Sequence, residues 1–332
     1  MPTVLISPEA FLYQPEASYA RMLSEAGFEI RYPQNPIFTR GTGSEDETIE
    51  VLRDCVAVIA GGEHLTRRVI EASPSLRVIA RCGVGFDRVD VPAATERTIA
   101  LTITPTANHE GVGEHALALL LAVAKNIALN DRNLRASRWS QQLTAPVRGR
   151  TAGIIGLGRI GRSTAIRYAA MGMKVIAYEM FPDREFVAKH GIELVELDEL
   201  LKRSDFVSIH CPLNDQTRGL CNDSFFARMK PGSVLINTSR GGLVVETDLI
   251  AALKSGHLSG AGLDVFQQEP LSPTSPLLQV ENVVLSPHLA GTDTRSMEDM
   301  GIESARNIIT LSRNEWPEGA VVNAELRSRW KW

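Results

Sequence analysis

Short runs of apolar, β-branched residues alternate along this chain with longer segments in which apolar residues recur every three or four positions. Such runs predict strands of a parallel sheet buried on both faces, and the longer segments predict the helices between them. Before residue 105 the predicted strands are Val4–Ser7, Glu29–Tyr32, Val56–Ala60, Val78–Ala80 and Ile99–Thr102. After residue 150 they begin at Thr151 and Lys174 and continue at Asp205–Cys211, Ser233–Asn237, Gly260–Asp264 and Asn282–Leu285. The alternation predicts an α/β protein.

The order of these elements indicates two domains. Near Thr104 the pattern changes to an almost wholly apolar helical stretch, Glu110–Lys125, which we interpret as the crossing from the first domain into the second. Residues 104–297 are predicted to form a doubly wound Rossmann domain that binds a dinucleotide. A helix predicted at Asp293–Ser312 and a closing element at Val321–Asn323 return to the first domain. Residues 1–103 and 298–332 are therefore predicted to form a substrate-binding domain, and two chain crossings suit a hinge-closing enzyme.

The clearest motif for binding is a glycine turn at the end of the strand that begins at Thr151. The segment reads Gly156-Leu-Gly158-Arg-Ile-Gly161 and leads directly into a helical run. Gly156 allows a sharp turn, Gly158 lets the backbone approach a phosphate, and Gly161 lets helix and strand pack closely. The free N–H groups at the start of the helix favour an anion. The motif predicts a pyrophosphate site, although a glycine string alone also fits an ordinary tight turn.

The next strand ends at Glu179, about twenty residues beyond the glycines, where a carboxylate accepts hydrogen bonds from the adenosine ribose and repels a 2′-phosphate. This position favours NAD over NADP as the cofactor. Two alternatives stay open. Glu179 could cap a strand at the surface, and Arg184 close behind it could recruit a phosphate.

Composition and charge narrow the function to small-molecule chemistry. The chain has 332 residues, 44% of them hydrophobic, with 35 basic and 39 acidic residues giving a net charge of -4 without long charged blocks. Nothing in this balance favours a nucleic-acid or membrane partner. The four cysteines form no CxxC pair, no metal-ligand pattern is present, and the apolar run Ala116–Ala124 is too short to span a bilayer. We expect a cytoplasmic protein with reduced cysteines, no leader segment and no metal.

Three charged residues follow predicted strands of the second domain, where ligands of open α/β sheets bind. Arg240 precedes two glycines, Glu269 precedes a proline, and His288 lies in a Pro-His-Leu-Ala-Gly segment. A carboxylate beside an imidazole fixes its tautomer and favours its charged form, and a guanidinium fits a carboxylate with a neighbouring carbonyl oxygen. With bound NAD, Arg240 would hold a 2-oxo or 2-hydroxy acid while His288 exchanges the proton. Taken singly, each residue could equally be structural.

The chain resembles the D-isomer-specific 2-hydroxyacid dehydrogenases, in particular those of the D-3-phosphoglycerate dehydrogenase type, over nearly its whole length. The motifs that carry this resemblance are Arg81–Asp90, Gly153–Gly161, His210–Leu213, Asn237–Gly242, Leu263–Phe266 with Glu269-Pro270, and Ser286–Gly291. The resemblance implies a Rossmann domain beside a flavodoxin-like catalytic domain, and it implies that Arg240, Glu269 and His288 are the catalytic residues. It also implies a homodimer, in which Trp139 and the apolar residues between Asn130 and Pro146 could contact the second subunit.

The resemblance further implies which residues contact the ligands. Val84 and Gly85 would cradle the substrate carboxylate together with Arg240, and Asp264 would lie near the nicotinamide carboxamide. The cofactor-binding residues it implies, besides the glycines, are Val112, Arg159, Ile160, Glu179, His210, Cys211, Pro212, Thr217, Thr238, Ser239, Arg240, Asp264, His288 and Gly291. Two positions depart from the family pattern, Phe86 in place of tyrosine and Glu179 in place of the commoner aspartate. A regulatory domain after Asn323 is not expected.

We therefore expect an NAD-dependent oxidoreductase that interconverts a small D-2-hydroxy acid and its 2-oxo acid. Two alternatives stay open, an NAD(H)-sensing interaction protein similar to the corepressors of this fold, and the same fold acting on formate or phosphite. The identity of the acid is also open. Phe11, Leu12, His64 and the Asn108 region are expected to shape its pocket, and Arg81 and Arg88 are candidate cations for a phosphorylated substrate.

Overall fold

The computed structural model describes residues 1–35, 38 and 41–332, and the chain forms two compact units. Unit 1 comprises residues 1–108 and 292–332, and unit 2 comprises residues 109–291. The C-terminal helix and tail thus belong to the same unit as the N-terminal strands. The segment Pro33–Ser44, whose turn residues predict a loop, lies partly outside the described residues.

Twelve strands form two parallel sheets in the described part of the chain. In unit 1 they are β1 (Thr3–Ile6), β2 (Glu29–Arg31), β3 (Cys55–Ala60), β4 (Val78–Arg81) and β5 (Ala100–Thr102). In unit 2 they are β6 (Thr151–Ile155), β7 (Lys174–Tyr178), β8 (Glu193–Leu194), β9 (Phe206–Ile209), β10 (Ser233–Asn237), β11 (Leu258–Leu263) and β12 (Val283–Leu285). The predicted strands are confirmed, with ends that differ by one or two residues, and the two-residue strand β8 is additional.

The helices follow the strands in α/β order. The first six are α1 (Ser18–Glu25), α2 (Glu45–Leu52), α3 (Arg67–Glu71), α4 (Val91–Glu96), α5 (His109–Ala124) and α6 (Ile127–Arg135). The others are α7 (Arg159–Ala170), α8 (Arg184–His190), α9 (Leu197–Arg203), α10 (Asp223–Arg228), α11 (Glu246–Lys254) and α12 (Thr294–Ser312). Side-chain oxygens of Ser44, Thr66, Asp90, Asp183 and Asn222 accept backbone N–H groups in the first turns of their helices, as N-caps do.

The sheet of unit 1 has the strand order β2-β1-β3-β4-β5, which is the flavodoxin-like order. Four of its strands are almost fully buried because both faces are covered, whereas the edge strand β2 is partly exposed. Val4 and Ile59 pack with α1 and α12 on one face, while Leu5 and Val58 pack with α2, α3 and α4 on the other. The predicted closing element is present at the β5 edge, where Asn323 accepts the N–H of Leu101 at 3.0 Å. Such cover protects an edge strand from pairing with another chain.

The sheet of unit 2 has the order β12-β11-β10-β9-β6-β7-β8. The chain begins in the middle, at β6, builds outward through β7 and β8, and then crosses back to β9. This is the Rossmann order with one added strand, and ligands of such sheets bind beyond the carboxyl ends of the strands at the point of reversal. The site is therefore expected beyond β6 and β9.

The predicted apolar helix is confirmed as α5, which packs on α7, β10 and β11 within unit 2. The close approach of α5 and α7 requires Gly113, since a Cβ there would lie 2.5 Å from Oγ of Ser163. Within the described residues no single helix is long and apolar enough to cross a membrane. Only α5 and α6 together, bent by 58° at their junction, meet that length and composition.

Candidate active site

The glycine turn joins β6 to α7 at the reversal point of the unit 2 sheet. Gly156 has a φ of +91°, and a Cβ there would lie 2.7 Å from the backbone nitrogen of Cys211. A Cβ at Gly161 would lie 2.0 Å from the carbonyl oxygen of Gly156, whereas one at Gly158 would meet nothing within 4 Å. The first and third glycines are therefore needed for packing, and the middle one leaves open space in front of the helix.

Glu179, just after β7, is hydrogen-bonded to this turn. One carboxylate oxygen accepts the N–H of Leu157 at 2.6 Å, and the other accepts the N–H of Phe181 at 2.9 Å. Each carboxylate oxygen has a second lone pair for a further donor such as a ribose hydroxyl. Glu179 thus supports the conformation of the glycine turn and keeps the acceptor capacity that its predicted ribose contact needs.

The residues around the turn fit a dinucleotide. The first turn of α7 has no side-chain cap at Gly158, so its N–H groups face the open space that a phosphate would occupy. Thr238, at the carboxyl end of β10, is 7% exposed, and its hydroxyl is buried without a partner among the described residues. A buried hydroxyl is costly unless it is hydrogen-bonded, so an outside group is a natural partner. Arg159 and Ile160 begin α7, where the predicted pyrophosphate contacts would lie.

Further predicted cofactor residues cluster in the loops after β9 and β10. The Ser239 hydroxyl donates to the carbonyl oxygen of Cys211 at 2.6 Å, and the Thr217 hydroxyl donates to that of Pro212 at 2.7 Å. His210 shares a hydrogen bond with Ser208, Nε2 to Oγ at 2.9 Å. Burial lowers the pKa of His210 to about 3, so its imidazole is neutral near pH 7.

The imidazole of His288 and the carboxylate of Glu269 form the predicted dyad, with Nδ1 and Oε2 2.7 Å apart. The His288 side chain is 45% exposed and that of Glu269 is 18% exposed. The other oxygen of Glu269 accepts the N–H of Phe266 at 3.1 Å, which orients the carboxylate. His288 has a φ of +54°, in the left-handed region that non-glycine residues seldom adopt. Such strain is characteristic of functional sites, where the surrounding structure maintains it.

The loop that carries His288 is held by Asp264, which is fully buried at the end of β11. Its carboxylate accepts the Ser286 hydroxyl at 2.6 Å and the N–H groups of Leu289 and Ala290 at 3.0 and 2.9 Å. Its carbonyl oxygen accepts the N–H of His288 at 2.8 Å. Burial tends to raise the pKa of Asp264, but hydrogen bonds from His115, Ser286 and these N–H groups outweigh it and lower the pKa. Its predicted contact with the carboxamide stays a prediction.

His115, on α5, is a residue of this cluster that the sequence analysis missed. Its Nε2 lies 2.8 Å from Oγ of Ser286 and 3.5 Å from the carboxylate of Asp264. The available signal was a titratable residue directly before the apolar run of α5. Periodicity alone does not show which strand end such a residue meets.

Arg240 lies in a tight turn after β10. Its guanidinium donates to the carbonyl oxygen of Ser239 at 2.7 Å, and its own carbonyl oxygen accepts the side-chain N–H of Asn237 at 3.0 Å. The next position, Gly241, requires a glycine, because a Cβ there would lie 1.9 Å from the carbonyl carbon of Phe266. The turn therefore packs directly against the segment that leads to Glu269.

The remaining predicted residues lie apart in the chain. Val112 is buried on α5, and Gly291 is the last residue of unit 2. Val84 and Gly85 belong to unit 1, in the loop after β4, where Gly83 has a φ of +125° and exchanges two hydrogen bonds with Thr104. All three predicted catalytic residues and the glycine turn are in unit 2.

Comparison with known proteins decides the family. Residues 117–290 match the model described as D-isomer specific 2-hydroxyacid dehydrogenase, NAD binding domain. The chain belongs to this family. A glyoxylate reductase of Korarchaeum cryptofilum is 40% identical over 85% of this chain and 87% of its own length. A D-3-phosphoglycerate dehydrogenase of Mycobacterium leprae is 38% identical over 90% of this chain, which spans only 57% of that protein.

Solved structures agree with this assignment. The D-lactate dehydrogenase of Aquifex aeolicus, solved with NAD and lactic acid, superimposes on this chain with a TM-score of 0.82 at 27% sequence identity. The superposition covers 96% of this chain and 98% of the D-lactate dehydrogenase chain. The chain is thus an NAD-dependent oxidoreductase that interconverts 2-hydroxy and 2-oxo acids. The predicted fold class, function and cofactor are confirmed.

Proposed function

We propose that this enzyme acts on a small D-2-hydroxy acid and its 2-oxo acid, with Arg240 and the His288–Glu269 pair as its catalytic groups. The observation that carries the proposal is the 2.7 Å contact between Nδ1 of His288 and Oε2 of Glu269. Because Glu269 occupies Nδ1, the second ring nitrogen, Nε2, is the one that exchanges a proton with the substrate oxygen. When bound, NAD supplies or accepts the hydride.

Arg240 has the complementary role toward the substrate. Its guanidinium is planar with several N–H donors, so that it can bind the carboxylate and the 2-oxo oxygen together. As that oxygen gains negative charge, a preorganised cation stabilises it more strongly than it stabilises the ground state. We assign the backbone of Val84 and Gly85 to the substrate carboxylate, which makes residues 1–103 and 298–332 the substrate-binding domain and residues 104–297 the NAD-binding domain.

A panel of 2-oxo acids assayed with NADH tests the activity, using glyoxylate, hydroxypyruvate, pyruvate and phosphohydroxypyruvate. His288→Ala is expected to lower turnover by about 10²–10⁴-fold, the usual contribution of positioned proton transfer. NADH binding, followed by fluorescence, should survive the substitution. Near wild-type rates in His288→Ala and Arg240→Ala would show that the assigned roles are wrong.

The same panel separates the alternatives. The intact His288–Glu269 pair favours an enzyme over an NAD(H)-sensing interaction protein, because a sensor needs no proton-transfer pair. NADH-dependent capture of a protein partner, with no turnover of any acid, would reverse that ranking. Turnover of formate or phosphite instead of the 2-oxo acids would change the substrate class.

We also infer a homodimer formed through α6 and the segment that follows it. None of the residues of α6 is buried, and Leu134, Trp139 and Leu143 are 56%, 81% and 102% exposed. Apolar side chains exposed in one stretch mark an interaction surface. Light scattering should give twice the chain mass for the wild type and a smaller mass for Trp139→Ser. A monomeric wild type would reject the dimer.

The proposed location is cytoplasmic. All four cysteines, Cys55, Cys82, Cys211 and Cys221, are free thiols, as in proteins of reducing compartments. Fractionation of cells that produce the untagged protein would test this.

A further inference from the structure

A second buried carboxylate, Glu63, lies in unit 1 beside the loop assigned to the substrate. Glu63 is 2% exposed. Its two oxygens accept the Ser7 hydroxyl at 2.5 Å and the N–H of Gly61 at 2.9 Å. Burial raises the pKa of Glu63, and the positive charge of Arg81 is the largest influence that opposes it. The carboxylate is therefore tied to the ends of β1 and β3 and faces a cation.

That cation, Arg81 at the end of β4, is 9% exposed. Its Nε donates to the carbonyl oxygen of Gly85 at 3.1 Å, and Nη1 donates to the carbonyl oxygen of Gly61. One guanidinium thus joins the loop after β3 to the loop after β4. Gly85 is one of the residues assigned to the substrate carboxylate, so this hydrogen bond connects Arg81 directly to the backbone of the substrate loop.

Arg88 reinforces the same connection. Its guanidinium donates to the carbonyl oxygen of Gly62, and its own carbonyl oxygen accepts the N–H of Leu65 at 2.8 Å. Both arginines that could have neutralised a substrate phosphate are therefore engaged with backbone carbonyl groups. A phosphate that turned either guanidinium away from these carbonyl groups would break the bonds, and a displaced Arg81 would also leave the buried Glu63 without its counter-charge, which is unfavourable.

We propose that Arg81 and Glu63 are positioning residues for the substrate loop and that the substrate is consequently a 2-oxo or 2-hydroxy acid without a phosphate group. This inference rests on the proposed function, because it specifies the acid that the same site takes. The fixed backbone of Val84 and Gly85 then presents its N–H groups to a small carboxylate without a search through loop conformations. Preorganisation of this kind supports catalysis because small displacements of a bound substrate are costly.

The first experiment compares hydroxypyruvate with phosphohydroxypyruvate in the wild-type enzyme under NADH. These acids differ only in the phosphate, so the ratio of their kcat/KM values reports its recognition. We expect kcat/KM to be at least about tenfold higher for hydroxypyruvate, because a phosphate that lacks a charge-assisted hydrogen bond loses binding free energy of that size. A preference for phosphohydroxypyruvate would overturn the inference and leave the proposed function intact. No turnover of any 2-oxo acid would overturn both.

The second experiment substitutes the positioning pair. Arg81→Gln is expected to lower kcat/KM by about 10- to 100-fold for both acids by the same factor, with unchanged NADH affinity. A loss confined to phosphohydroxypyruvate would identify Arg81 as a phosphate ligand, and no loss on either acid would show that it does not position the loop. Either result overturns the proposal. Arg327→Gln, which removes an exposed arginine paired with Glu318 in the same unit, is the matched control.

The double variant Glu63→Gln/Arg81→Gln tests whether Arg81→Gln loses activity only because it fails to fold. It removes both buried charges together. Its circular dichroism and thermal midpoint should be closer to those of the wild type than those of Arg81→Gln, because no unpaired charge is left inside. Its activity should stay low, because the double variant lacks the guanidinium that donates to the carbonyl oxygens of both Gly61 and Gly85. Recovery of wild-type activity in this folded double variant would overturn the positioning role.

Discussion

Each unit has a buried carboxylate that holds a loop, and the pKa values of the two carboxylates are shifted in opposite directions. Asp264 holds the loop of His288, and Glu63 holds the loop of Val84 and Gly85 through Arg81. Hydrogen bonds lower the pKa of Asp264 in spite of burial, whereas burial dominates at Glu63 and raises its pKa. Burial is the largest influence on both carboxylates, and the opposing influences outweigh it only at Asp264.

The two carboxylates also accept different sets of donors. Asp264 accepts one hydroxyl and two backbone N–H groups at 3.0 Å or less, with His115 close by. Glu63 accepts the Ser7 hydroxyl and the N–H of Gly61, and its own N–H and the charge of Arg81 also lower its pKa. Donors that point at a carboxylate stabilise its charged form and so oppose the effect of burial. Asp264 accepts N–H groups of its loop directly, whereas Glu63 acts on its loop through Arg81. We therefore expect substitution of Asp264 to lower activity more than substitution of Glu63.

The largest effect is expected from Asp264→Asn. The amide keeps the shape but places an N–H₂ group against the N–H of Leu289 or Ala290, so that the loop carrying His288 shifts. We expect kcat/KM to fall by about 100-fold, since displacements of about 1 Å at a reacting group have effects of this size. Steady-state kinetics with NADH and the preferred acid measure it. An activity loss greater in Glu63→Gln than in Asp264→Asn would contradict the comparison.

A smaller effect is expected from His115→Leu. The substitution removes one donor that orients Ser286 and Asp264 but leaves the two backbone N–H groups in place. The loss of one neutral hydrogen bond corresponds to about two- to tenfold in kcat, with KM for NADH almost unchanged. His115→Gln, which can still donate to Ser286, should recover much of the rate. If Gln and Leu behave alike, His115 acts by packing alone.

The smallest and most diagnostic effect concerns stability against pH. The lowered pKa of Asp264 adds stability that is present above its unfolded value near 3.8 and is lost as the pH falls through the folded value. The raised pKa of Glu63 works in the other direction, with stability present below its unfolded value near 4.5 and lost as the pH rises through the folded value. The urea midpoint should be measured between pH 3 and 7. As the pH falls, the midpoint of Asp264→Asn should decrease less than that of the wild type. As the pH rises toward 7, the midpoint of Glu63→Gln should increase relative to that of the wild type. If the urea midpoints of both variants follow the same pH dependence as the wild type, the two carboxylates do not differ electrostatically.

Local patterns predicted much of the fold and of the site. Apolar runs identified the strands because both faces of a parallel sheet are buried. The glycine turn was found because each glycine answers a separate steric requirement, and the contacts at Gly156 and Gly161 show two of them. Arg240, Glu269 and His288 were found because strand ends face the ligand side of an open sheet, and the structure joins the last two directly.

Other features were beyond such patterns. His115 is nearly 150 residues from Asp264 in the chain, so only the packing of α5 near β11 brings them together. Arg81 was noted for a possible phosphate, but its partners Gly61 and Gly85 were not foreseeable from residue type. Glu179 was predicted to meet a ribose, and its bond to the N–H of Leu157 adds a support for the glycine turn.

The sequence by itself determined the α/β class and the dinucleotide turn, because these depend on residue type and short spacing, and it predicted Glu269 and His288 as the proposed proton-transfer pair. The tertiary structure alone decided which donors surround each buried charge. Hydrogen bonds require a fixed direction and a distance near 3 Å, and only the folded backbone sets these for groups far apart in the chain. For that reason the roles of Asp264, Glu63, Arg81 and His115 in holding their loops emerge from the fold.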